Sequence, residues 1–123
     1  MPITQVTDEQ LVQAVQKAKV VEAQKIACVN HAAIVAWFSV GYINESGDPV
    51  YTASTSSFPV GQQRGIDLDG EGIEEGTFCR PHVSGAGVLS PVDGNKAIKY
   101  KKNGQTAVYE IKGTTFKLWC ELL

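Results

Sequence analysis

Two rhythms of apolar residues divide the chain. Near the start, Leu11, Ala14, Val15, Ala18 and Val21 recur at intervals of three and four, the spacing that lines one face of a helix. Thr7-Asp8-Glu9-Gln10 precedes them. In that order the Thr7 hydroxyl accepts from the Gln10 amide, and the Gln10 side chain returns to the Thr7 amide, a capping box. Val6 and Leu11 stand at the hydrophobic-staple positions on either side of it. The pattern predicts a helix over about 8–24, with a narrow, alanine-rich apolar stripe.

After that helix the rhythm becomes two. Residues 33–43 carry Val35, Trp37, Phe38, Val40 and Tyr42, apolar on both faces, as in a strand covered from both sides. Further strands are expected over 50–57, 60–68 and 77–84. Pro81 marks the last of these as an edge strand or a bulge. Asn103-Gly104 and Gly113-Thr114 read as two tight hairpin turns. They set Tyr100 opposite Ala107, Ile98 opposite Tyr109, Ile111 opposite Phe116, Tyr109 opposite Leu118, and Glu110 opposite Lys117. One face of this meander then collects Ile98, Tyr100, Ala107, Tyr109, Ile111, Phe116, Leu118, Cys120 and Leu122. Lysines fill the other face, where Val108 sits beside Trp119. The expected fold is mainly β: one N-terminal helix followed by an antiparallel β-sandwich, immunoglobulin-like or related, of six to eight strands. Residues 1–123 form one domain, with the sandwich over about 26–123.

Composition narrows the function classes. The chain is 43% apolar and 20% charged with net charge −2, which is ordinary for a globular domain and gives no general pull toward nucleic acid. No glycine-rich phosphate loop follows a strand, and no cofactor motif is complete. Three cysteines cannot all pair, which favours reduced thiols. MPITQVTDEQ lacks a basic start followed by an apolar run. The expectation is a cytoplasmic protein, or one released without a leader. The apolar run 32–38 is too short to span a bilayer.

Three constellations bear on chemistry. CVNH and CRPH place both histidines three residues after a cysteine: Cys28 with His31, and Cys79 with His82. Two thiolates and two imidazoles suit tetrahedral zinc. Residues three apart on a flat strand point to opposite faces, so zinc requires a corner at Val29-Asn30 and a bulge at Arg80-Pro81. Asp67, Asp69 and Glu71 copy the first half of a calcium loop. Phe78 stands where the closing glutamate belongs, so the bland alternative is an acidic, solvated turn. Trp119, with Val108 and Lys99, is an aromatic on the lysine-bearing face, suited to stacking on a sugar, entering a membrane interface or joining a subunit contact. No nucleophile has an evident base beside it, so no enzyme activity is expected.

In outline this architecture resembles small fungal lectins, immunomodulatory proteins and sandwich-type cytolysins. The resemblance implies a non-enzymatic binding module acting as a homo-oligomer, lectin-like, that meets a glycan or membrane surface through loops and sheet aromatics. The alternatives are a membrane-active protein using the N-terminal amphipathic helix, and a zinc-dependent protein using the two Cys-x-x-His pairs.

Overall fold

The computed structural model describes residues 20–123. Most of the expected helix lies outside them. At its expected end, Glu22–Ala23 form a strand and no helix. Ten strands follow in order: β1 (Glu22–Ala23), β2 (Lys25–Asn30), β3 (Ala36–Ile43), β4 (Pro49–Tyr51), β5 (Gln63–Asp67), β6 (Phe78–Gly85), β7 (Val92–Asp93), β8 (Ile98–Tyr100), β9 (Thr106–Gly113) and β10 (Leu118–Leu122). They make two sheets. The larger runs β1-β8-β6-β3-β4 with β7 also on β6, and the smaller runs β10-β9-β2-β5.

Alternation along the strands turns one face of each sheet inward. Ile26 and Cys28 of β2, with Tyr109 and Ile111 of β9, meet Phe38 and Val40 of β3, with Val83 of β6, in a core sealed from solvent. All five of the largest residues in it are apolar or aromatic, and their burial is the main stabilising term.

The sandwich is not purely antiparallel. β1 pairs parallel with β8, and β2 pairs parallel with β9. The cause lies in how the chain changes sheets. At Gln24 it arches from the larger sheet (β1) to the smaller (β2), and at residues 101–105 it makes the same crossing from β8 to β9. The two arches lie side by side and are bonded together. The Gln24 and Lys25 amides donate to the Gln105 carbonyl at 2.9 and 3.0 Å. The Gln24 side chain accepts from the Gly104 amide at 2.9 Å and donates to Asp67 at 3.2 Å. Asn103-Gly104 is therefore the turn of an arch, and the expected hairpin is absent: Tyr100 and Ala107 are in opposed sheets.

The second expected turn is also corrected. β9 and β10 are joined by residues 114–117, with Leu118 opposite Gly113 and Cys120 opposite Ile111. A Cβ on Gly113 would lie 2.1 Å from the Lys117 carbonyl oxygen, and its φ is +113°. Glycine there lets the loop close, with the Thr114 amide donating to that same carbonyl at 2.9 Å. The shift keeps each residue's face but expels Phe116 from the core. It also sets Glu110 opposite Glu121, where Lys117 was expected. Lys112 Nζ bridges the two carboxylates at 3.1 and 3.5 Å.

Pro81 lies inside the larger sheet, not at its edge. Its missing N–H falls where the partner of β6 changes from β8 to β7. There the Pro81 carbonyl accepts from Gly94 at 2.9 Å. Residues 94–97 leave the sheet at this break and cap the edge strand of the other: the Asn95 amide donates to the Cys120 carbonyl, and Asn95 Oδ1 accepts from Leu122. Of the strand expected over 50–57 only Pro49–Tyr51 is regular. Beyond it the Thr52 and Thr55 hydroxyls accept the amides of Val40 and Phe38.

One buried polar side chain fixes the opposite, upper end, where β2 finishes. Asn30 is fully buried; its Nδ2 donates to the Ile34 and Phe58 carbonyls at 2.8 and 3.1 Å, and its Oδ1 accepts from the Ala32 amide at 2.9 Å. Replacing it with alanine strands three backbone groups away from water. Asn30→Ala is expected to lower the unfolding free energy by about 3 kcal/mol in urea denaturation. A loss under about 1 kcal/mol would show that these bonds do not hold the crossing.

Candidate functional site

Four loops gather at that upper end: residues 31–35, 59–62, 86–91 and 114–117. Backbone bonds tie them to one another or to the strand ends beside them. The Gly61 amide donates to the Asn30 carbonyl, Ala33 to Gly113, and Ala86 to Val35. A Cβ on Gly87 would touch the Thr115 methyl at 3.5 Å.

These loops contain no aspartate or glutamate. They carry instead the two most exposed large apolar side chains of the described residues, Phe116 at 96% and Leu89 at 91% exposure, together with Val60 at 61%. Val35 is also exposed. Trp119 stands just behind Phe116 on β10, with Lys117 Nζ 5.2 Å from its ring centroid. At the lower end the turns after β3 and β5 hold Glu45, Asp48, Asp69, Glu71, Glu74 and Glu75, and the 101–105 arch holds Lys101 and Lys102, so acidic groups predominate. Sequence alternation missed the tip because it assigned Phe116 to the core. The signal that could have found it is the lack of acidic residues in four loops whose shared end only the topology reveals.

The residues singled out from sequence disperse. Trp119 and Val108 both face outward from the smaller sheet, but Trp119 is opposite Lys112, two same-face positions from Val108 along β9. Lys99 belongs to the larger sheet, its Nζ 5.5 Å from the Phe78 ring centroid. The three do not form one surface.

Cys28 and Cys79 point into the core from different sheets, while each histidine turns outward onto a carboxylate. His31 Nδ1 is 2.6 Å from Glu110 Oε2, and His82 Nδ1 is 2.7 Å from Asp93 Oδ1. Neither the corner nor the bulge that zinc required forms, since both segments run as regular strands. No group of three or more metal-ligating side chains is assembled among the described residues. In the acidic turn, Asp67 Oδ1 accepts from the Asp69 amide at 3.0 Å and from Gln24, and so closes the turn itself. Glu74 is held above the ordinary carboxylate range by its hydrogen bond to Glu45.

Burial governs the thiols. It pushes Cys79 up to about 11 and raises Cys28 further, with Cys120 adding to the effect on Cys28. Thiols so placed stay protonated and packed. Glu110 is shifted downward, first by its bond to His31 and then by Lys112.

No protein-family model matches the sequence, and no curated protein is similar to it in sequence. Among solved structures the chain is similar to pneumolysin, 15% identical over 80% of this chain and 23% of that one, with a TM-score of 0.44. Listeriolysin O is 14% identical over 80% and 22% of the two chains, with a TM-score of 0.44. The membrane-binding domain of pneumolysin is 14% identical over 80% and 94%, with a TM-score of 0.42. This chain therefore spans less than a quarter of the toxins' own length. The likeness is of general outline only.

Two outcomes follow from the side chains. An alkylating reagent at about pH 8, near the ordinary thiol pKa, should label none of the three cysteines in native protein and all three in denaturant. Rapid native labelling would show that the core opens. Folding lowers the pKa of Glu110, so its contribution is present above the ordinary value of 4.5 and is lost as pH falls through the lower folded value. Glu110→Gln should melt below wild type at neutral pH and converge with it in acid. Parallel melting curves across that range would refute the coupling.

Proposed function

We propose that this chain is a non-enzymatic module that binds lipid bilayers through the apolar loop tips at the upper end of the sandwich. One observation carries it: Phe116 and Leu89 stand almost wholly in water at one end of a folded domain. Exposed apolar side chains gathered at one end of a domain mark an interaction surface. Loops of mixed origin projecting from two sheets suit entry into a headgroup layer, which conforms to their contour. Trp119 behind the tip, with Lys117 beside it, matches the aromatic and basic residues that settle at a membrane boundary. The acidic lower turns orient the domain, because an anionic surface repels that end and admits the other.

Magnitude sets the mode of action. Burying Phe116, Leu89 and Val60 contributes about 5 kcal/mol together. That is comparable to a single acyl chain, whose membrane attachment is marginal and reversible. Stable attachment then calls for several copies bound side by side, in keeping with the expected homo-oligomer.

The check is co-sedimentation of the full chain with vesicles of phosphatidylcholine containing phosphatidylserine. Wild type should bind, and Phe116→Asp and Leu89→Asp should each weaken binding by at least about 30-fold with unchanged melting temperature. Wild type that stays in the supernatant, or variants that bind as wild type does, would sink the proposal.

A further inference from the structure

We infer that the outer face of the larger sheet holds a separate binding groove for a neutral saccharide ring. The groove is about 250 Å³ and lies on the flank of the sandwich, away from the loop tips. Its floor is Gly41. Strand pairing places Tyr51 on one side of Gly41 and Arg80 on the other, in one cross-strand row. A Cβ on Gly41 would sit 2.9 Å from Tyr51 Cε1, so the missing side chain lets the Tyr51 ring lie against the sheet. The ring packs on His82, centroids 5.0 Å apart, and His82 is itself tied to Asp93 at 2.7 Å. Phe78, two residues before Arg80 on the same face, supplies a second ring. Tyr51 and Phe78 are both half exposed.

The polar groups around these rings have capacity to spare. Arg80 is exposed and makes no ion pair among the described residues. Asp93 uses only Oδ1 on His82, leaving Oδ2 as an acceptor. The groove thus offers the Tyr51 and Phe78 rings, the second with Lys99 Nζ 5.5 Å from its centroid, bounded by a five-donor guanidinium and a carboxylate oxygen.

That combination selects its occupant. A dry apolar partner would bury Arg80 and Asp93 without partners, at high cost. A phosphate or other anion would meet the Asp93 carboxylate inside the same small space. A pyranose fits both demands, with C–H groups on its face for Tyr51 or Phe78 and hydroxyls on its rim for Arg80 and Asp93. The volume lies below that of usual small-molecule sites, so it accommodates a single ring, such as the terminal residue of a glycan. Affinity for one ring in so open a groove should be about 1 mM.

The test is an amide-NMR titration of the full chain with the methyl glycosides of glucose, galactose and mannose and with N-acetylglucosamine. At least one should give saturable shifts confined to β3, β4, β6 and β7. Tyr51→Ala and Arg80→Ala should each weaken that binding by about 10-fold or more. Gly41→Ala should do the same by displacing the Tyr51 ring without removing any groove side chain. Phe116→Asp should leave the titration unchanged. No saturable shift with any of the four, shifts that map elsewhere, or undiminished binding by both Tyr51→Ala and Gly41→Ala would overturn the assignment.

Discussion

The rest of the structure depends on the bonding between two neighbouring arches. Gln24 uses its amide on Gln105, its carbonyl on Leu68 and its side chain on both Gly104 and Asp67. One residue thereby holds together the first described crossing, the β8–β9 crossing and the turn after β5. Those segments are distant in sequence, so their union sets the order of both sheets at once. It forces the two parallel pairings, makes β2 and β9 central in the smaller sheet, and sends their ends to the upper pole together. A β-sandwich closed in this way gains its contacts late, from residues far apart in the chain.

That constraint explains which parts of the fold were legible. Alternation shows which side chains point inward, and it did so for Ile98, Tyr100, Ala107, Tyr109, Ile111, Leu118 and Cys120, all buried. It does not show which sheet a strand joins. A hairpin keeps inward residues on one face of one sheet, while an arch sends them to facing sheets with their sides still turned to the core. Asn103-Gly104 fits either turn, and only the bonds to Glu22 and Gln24, some eighty residues earlier, select the arch. Pro81 suggests an edge strand or a bulge because it lacks a ladder donor, and the structure shows neither: a break between β8 and β7 leaves that position unpaired inside the sheet.

The paired Cys-x-x-His motifs yield to the same geometry. A separation of three along a strand puts cysteine and histidine on opposite faces; β6 is regular through Cys79–His82, and β2 is regular as far as Asn30, the residue before His31. The thiols became packing and the imidazoles became partners of Glu110 and Asp93. The residue that alternation misplaced, Phe116, is more instructive. Its error came from a turn two residues shorter than the real one. The real loop is closed by a glycine that no side chain could replace. The same glycine that ends β9 thus puts the most exposed aromatic of the described residues at the tip.

The two proposed contacts are each weak, and their placement on one rigid body changes what that weakness means. A tip worth about 5 kcal/mol holds a bilayer only transiently, and a single ring in an open groove contributes about 4 kcal/mol. The tip points along the strands, while the groove faces sideways from the larger sheet. A domain standing on its tip would therefore open the groove sideways, above the bilayer surface. The second contact then forms at the effective concentration set by the first. Neither lipid nor sugar needs to be bound tightly, provided that both are found on the same surface. Selectivity for such a surface follows from requiring the two together, which a single strong site would not supply.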